Sequence, residues 1–197
     1  MRGGYDETEK KAGLRHARIA IASGTDDATA LAVAAFVVAW LNREHKAALS
    51  AIERALSFNP SSATALNKGA EIAAASGNLA VATAYANRAL RLSPFDPLAF
   101  SAHLALGHVA ILEARYEDAA SPYASAVQAN PRFSTLYFIR AAALALAGRA
   151  EEARPIAEQG LELEPDVRVS ELFDHCLFHR GLMSKLMEGA RLLGLPE

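Results

Sequence analysis

Four proline-marked turns recur along this 197-residue chain at nearly constant spacing, and that spacing limits the fold more than any other feature. Asn59-Pro60, Ser93-Pro94, Asn130-Pro131 and Glu164-Pro165 follow one another by 34, 37 and 34 residues. The register reaches one unit further back, because Ala28-Thr29-Ala30-Leu31 matches Ala63-Thr64-Ala65-Leu66 at a separation of 35, which puts Thr25 where the later prolines stand. Between these marks helix formers dominate, alanine above all, and nowhere do β-branched and aromatic residues alternate with polar ones over a strand's length. The chain is therefore expected to be all-α, each unit reading as helix A, a short turn, helix B and a proline-marked exit. The turns fall at Leu41-Asn42-Arg43-Glu44, Ser76-Gly77-Asn78, Glu113-Ala114-Arg115 and Ala147-Gly148-Arg149.

A period near 34 is that of the tetratricopeptide repeat. The expected fold is a right-handed α-solenoid of antiparallel helix pairs. Its parts are a truncated repeat helix within 1–26, four helix pairs over 27–167 (27–61, 62–95, 96–132 and 133–166), and capping helices over 168–197. Small residues in phase with the prolines support this register, since helix axes approach to about 8–10 Å and reach the low end only where facing side chains are small. Helix A carries Ala70, Gly107 and Ala141; helix B carries Ala48, Ala82, Ala119 and Ala153 early, and Ala55, Ala89, Ala126 and Gly160 late. Gly107→Leu or Ala126→Leu is expected to cost roughly 1–3 kcal/mol by overpacking. Pro122 and Pro155 lie inside helices B, where a kink or a late helix start is expected, because proline removes a donor and crowds the carbonyl four residues back.

At the ends, Leu14, Ala17, Ile19 and Ile21 give the first helix an apolar face. Val169 to Leu193 carries Leu172, Phe173, Leu177, Phe178, Leu182, Met183, Leu186, Met187 and Leu192, interrupted near Arg180-Gly181. A solenoid needs end caps with one polar face, and these segments suit that role.

Composition removes several classes of function. A net charge of -2 with 21% charged residues offers no basic excess for neutralising phosphates, so nucleic acid is not an expected partner. The 52% hydrophobic content is ample for a continuous core. Leu31 to Leu41, the most apolar stretch, is too short to span a bilayer, and the start MRGGYDETEK has no signal-like apolar region, so neither membrane insertion nor export is expected. The single Cys176 excludes an internal disulfide framework and fits a reducing, cytoplasmic setting.

No constellation points to catalysis. His175 and His179 share a helix face at metal-ligand spacing, but Asp174 projects about 100° away from His175 and no third ligand follows, so no metal is expected. His103 and His108 are five apart and face different sides, the first towards packing and the second towards the groove. Glu151, Glu152, Glu162 and Glu164 are solvated ends rather than an acid/base pair. Neither a nucleophile elbow, a phosphate loop nor a Cys-x-x-Cys pair occurs. The chain is expected to need no cofactor and to act by binding protein or peptide.

In this motif helices A line the inner wall. Its candidate contacts are Phe36 and Trp40, Asn67 and Glu71, Leu104, His108 and Ile111, then Phe138 and Ala142, with core packing as the competing reading for the aromatic residues. A basic clamp for a peptide carboxylate needs Lys, Arg and Asn on successive helices A, and of these only Asn67 is present in the register. An apolar helix or a neighbouring domain of the same polypeptide suits the groove better, and a second copy of the chain is a further candidate.

Several segments resemble the C-terminal repeat region of bacterial class III adenylate/guanylate cyclases. They are Tyr5-Asp6-Glu7-Thr8, Arg54-Ala55-Leu56 with Asn59-Pro60, Arg88-Ala89-Leu90-Arg91-Leu92-Ser93-Pro94-Phe95-Asp96-Pro97, Arg115-Tyr116-Glu117-Asp118-Ala119 and Gly194-Leu195-Pro196-Glu197. The resemblance implies a parent with a nucleotide-cyclising domain ahead of the repeats and no activity in this fragment. Similar regions follow winged-helix DNA-binding domains, and a free-standing scaffold or assembly factor is the alternative.

Overall fold

A computed structural model describes residues 6–23, 25–169 and 179–195, and no strand occurs among them. The helices are α1 (Glu7–Ala22), α2 (Ala28–Asn42), α3 (His45–Phe58), α4 (Ala63–Ser76), α5 (Leu79–Leu92), α6 (Ala99–Leu112), α7 (Tyr116–Ala129), α8 (Ser134–Leu146), α9 (Ala150–Leu163) and α10 (Arg180–Leu192). Pairs α2/α3, α4/α5, α6/α7 and α8/α9 are hairpins, and the B helices α3, α5 and α7 each pack on the A helix that follows. This is the all-helical solenoid that the period predicts.

Local chemistry sets the helix ends. Asp6 and Glu9 close a capping box on α1, Asp27 accepts from the amides of Thr29 and Ala30, Ser62 from Ala65 and Asn78 from Val81. The A-to-B turns need one left-handed residue. Gly77 (φ 81) and Gly148 (φ 78) supply it without a Cβ penalty, while Arg43 and Ala114, both at φ 57, adopt it with one.

The small residues meet where the register places them. Ala48, Ala82, Ala119 and Ala153 have no exposed surface, nor do Ala55, Ala126, Ala70 and Ala141. The core is accordingly a chain of neighbouring clusters: one around α2 to α4, one around α4 to α6, and a larger one running from α6 to α10.

Of the two outcomes expected at the interior prolines, a late helix start does not occur. α7 begins at Tyr116 and α9 at Ala150, and both run unbroken past Pro122 and Pro155, so neither helix starts late. The carbonyls that lose a donor belong to Asp118 and Glu151, both exposed, so water can satisfy them at little cost.

At the N-terminal end α1 packs on α2 through Ala17 with Leu14 and Ile21, and Arg54 donates to the Ile21 carbonyl across the next hairpin at 2.7 Å. α10 lies on α8 and reaches α6, two A helices, burying Leu182, Leu186, Gly189 and Ala190. Leu172, Phe173, Leu177 and Phe178 lie outside the described residues.

Candidate functional site

The predicted contact residues divide between the two halves of the A-helix wall. In the N-terminal half, Phe36 and Trp40 on α2 and Glu71 on α4 are partly exposed. Phe36 and Glu71 are brought together by Lys68, whose Nζ lies 4.1 Å from the centroid of the Phe36 ring and 3.1 Å from Glu71 Oε1. The ammonium is thus held between a π face and a carboxylate, and the Lys68 and Glu71 side chains are only 14% and 12% exposed, which strengthens their pairing relative to a fully solvated one. Asn67, one turn before Glu71, is buried, and its Oδ1 has no hydrogen-bond partner.

The C-terminal half differs: Leu104, His108, Ile111 and Phe138 are all buried. Phe138 points into its own hairpin, over Gly160, where an added Cβ would lie 2.9 Å from the ring. Leu104 and Ile111 share the core cluster that includes Leu182, Leu186 and Ala190 of α10, and the backbone of Ala142 abuts Gly189. These positions are buried rather than open: hairpin packing takes Phe138, the core reading already weighed for it, and the large C-terminal cluster takes Leu104 and Ile111. Lys68, which the register reading did not select, bridges two of the candidate residues. Its sign was Lys68-x-x-Glu71, a pair on one face of α4.

His108 belongs to the interior as well. Its Nδ1 lies 3.0 Å from Tyr123 Oη on α7, and the two rings meet edge to face. Burial pushes the imidazole down to about 3, and burial likewise holds the Tyr123 hydroxyl protonated by raising it well above its ordinary range. The folded state therefore binds fewer protons here than the unfolded state. Stability is complete above the ordinary histidine value of 6.5 and is lost as the pH falls from there towards 3. Urea denaturation at about pH 5 is expected to read about 2 kcal/mol less stability than at neutrality, and His108→Asn to flatten that slope. His45 and His103, also lowered by burial, keep a smaller slope of the same sign in the variant.

Among the described residues no group of three or more His, Cys, Asp or Glu side chains could hold a metal ion. His175 and Cys176 lie outside those residues. His179 caps α10, its Nδ1 accepting from the Gly181 amide at 3.1 Å. No described helix is long and apolar enough to cross a membrane.

Comparison with known proteins places this geometry. A Tetratricopeptide repeat family model matches residues 33–97 and 104–166. The chain belongs to the tetratricopeptide repeat family. No curated protein matches it. Among solved structures, MamA superimposes with a TM-score of 0.62 at 17% identity, covering 84% of this chain and 96% of that one. MamA 41-end from Desulfovibrio magneticus RS-1 gives 0.61 at 15%, covering 79% and 86%. YrrB, described as a TPR protein with an unusual peptide-binding site, gives 0.56 at 19%, covering 81% and 80%. At such identities the likeness establishes the shared fold. The tetratricopeptide repeat is in general a non-catalytic interaction fold, and family membership supports that class for this chain.

Proposed function

We propose that this tetratricopeptide module binds a protein partner on the N-terminal half of its A-helix wall, through Phe36, Trp40 and Glu71, with Lys68 as part of the same patch. The observation that carries the reading is the asymmetry of the wall. Phe36 and Glu71 flank a positioned ammonium at a partly open surface, whereas Leu104, His108, Ile111 and Phe138 are buried. Apolar rings next to one placed charge pair suit a partner helix with an apolar face and a polar edge. Leu104, His108, Ile111, Phe138 and Asn67 then act as support beneath or beside the surface.

The parent is proposed to be a cytoplasmic signalling protein of the adenylate/guanylate cyclase type, in which the repeats receive a partner or contact the catalytic domain. The resemblance of the Arg-Leu-Ser-Pro-Phe-Asp-Pro segment and of the Gly-Leu-Pro-Glu segment supports this. A reading frame continuing upstream into a nucleotide-cyclising domain bears it out; one continuing into a winged-helix domain, or none, turns the assignment to a regulator or a free-standing scaffold.

Photo-crosslinking in cells tests the surface. A crosslinker replacing Phe36 or Glu71 is expected to capture the same protein, and one replacing Phe95, which is 96% exposed, is expected not to capture it. In the Phe36 crosslinker protein, Trp40→Ala is expected to reduce capture about tenfold, the scale of one lost buried aromatic anchor. Equal capture from all three positions overturns the assignment.

A further inference from the structure

A cavity of about 750 Å³ opens where the first two repeats meet the start of α10. Arg43 of the α2–α3 turn, His45 and Lys46 of α3, and His179 and Arg180 at the start of α10 line it together with the apolar Leu49, Ala75 and Met183. No carboxylate lines it among the described residues, although acidic residues outnumber basic ones in the chain as a whole, 22 to 20. The nearby Glu44 is turned to other work, its carboxylate bonded by Arg18 and by the Asn42 amide.

Three further observations favour an anionic occupant. α3 begins at this cavity, so the positive end of its peptide dipole adds to the side-chain charges, whereas the start of α10 is already capped by His179. Glu44, the N-cap residue of α3, makes no side-chain capping bond. His45 Nδ1 is buried without a hydrogen-bond partner, and its ring is pushed below its ordinary value by burial and then by the positive field of Arg43 and His179. A carboxylate seated between Lys46 and Arg180 gains from both charges.

We propose that this cavity is a second binding site, which takes an acidic stretch of a protein partner, glutamate or aspartate side chains interleaved with apolar ones. The proposal rests on the reading of the chain as a protein-binding module but uses a different surface from the Phe36–Glu71 patch. The volume and the apolar wall of Leu49, Ala75 and Met183 favour a peptide over a lone small anion, since a bare phosphate leaves those side chains without a partner. Lys46 and Arg180, both exposed and without a salt bridge among the described residues, pair with the carboxylates at the mouth, and His45 meets the one that enters deepest.

The test uses the full chain and a fluorescein-labelled peptide of alternating glutamate and leucine, read by anisotropy, with the glutamine-for-glutamate peptide as control. The glutamate peptide is expected to bind, to weaken as salt is raised, and to shift the ring resonances of His45 and His179; the glutamine peptide is expected to bind at least about tenfold more weakly. Lys46→Glu/Arg180→Glu is expected to lose at least about tenfold in affinity with an unchanged melting temperature, and Lys46→Gln/Arg180→Gln to fall between. Equal binding of both peptides, affinity unaltered in the charge-reversed variant, or displacement of the peptide by inorganic phosphate at comparable concentration overturns the proposal, the last by making the cavity a small-anion site. Loss of peptide binding with crosslinking at Phe36 intact removes this site alone, and the converse removes the A-helix wall alone.

Discussion

Gly107→Leu is expected to destabilise the third repeat by about 3 kcal/mol or more, at or beyond the upper end of the usual overpacking range. A Cβ at this position would lie 2.2, 2.5 and 2.6 Å from three ring carbons of Tyr123. That ring has no room to retreat, being fully buried, with its hydroxyl bonded to His108. The other repeats show why the clash belongs to this one. The residue 24 positions before the exit proline is Phe36, Ala70, Gly107 or Ala141, and its counterpart eight before that proline is Ile52, Ala86, Tyr123 or Ala157. Two repeats use alanine with alanine; the third trades volume across the hairpin, glycine against tyrosine. Gly107→Ala thus also loses stability despite a gain of about 1 kcal/mol in helix propensity, and Gly107→Ala/Tyr123→Leu recovers part of the loss. Urea denaturation reads all three, and an unperturbed Gly107→Leu protein would refute the packing.

That pairwise trade explains how much of the fold was legible. Helix ends follow from signals within a few residues: aspartate or serine caps, glycine at a left-handed turn, proline after the exit. Hairpin packing follows from residues about 16 apart in one repeat, so a period of 34 exposes it four times over. The prolines in α7 and α9 do not delay the helix starts, because the cost of an interior proline depends on what becomes of the freed carbonyl, and those of Asp118 and Glu151 sit on residues open to water. Sequence pattern reports the lost donor but not the solvent that replaces it.

The candidate wall was less legible, for a different reason. A register identifies which residues sit on which helix face, and Phe36, Trp40 and Glu71 remain partly open. It does not report a helix arriving from some forty residues further on. Leu182 and Leu186 read as part of a capping segment with no stated neighbour; in the structure α10 packs on α8 and reaches α6. The basic cavity escaped notice similarly: Lys46 and Arg180 are far apart in sequence, and a single basic residue on a helix face is ordinary until another faces it.

The most consequential test of α10 is Gly189→Leu, which is expected to release the helix from the stack. A Cβ at Gly189 would lie 2.3 Å from the carbonyl oxygen of Ala142, 2.8 Å from its carbonyl carbon and 2.9 Å from its Cα. These are backbone atoms of α8, so no side-chain rotation can relieve the overlap and the whole of α10 must back away. Doing so re-exposes Leu182 and Leu186, each worth about 1.5–3 kcal/mol of burial, so local docking loses about 3–6 kcal/mol. Amides of α10 should then exchange orders of magnitude faster, with α8 next, while α1 to α5 keep their protection, because stability in a stack of repeats is carried by nearest neighbours. Glu188→Ala is the control: the side chain is exposed, its pairing with Lys185 at 3.0 Å is an i,i+3 surface bridge, and removing it should change stability little. Protection of α10 in Gly189→Leu equal to that of the unaltered chain would mean that the helix does not rest on α8 through this glycine, and the burial of Leu104 and Ile111 would then need another cover.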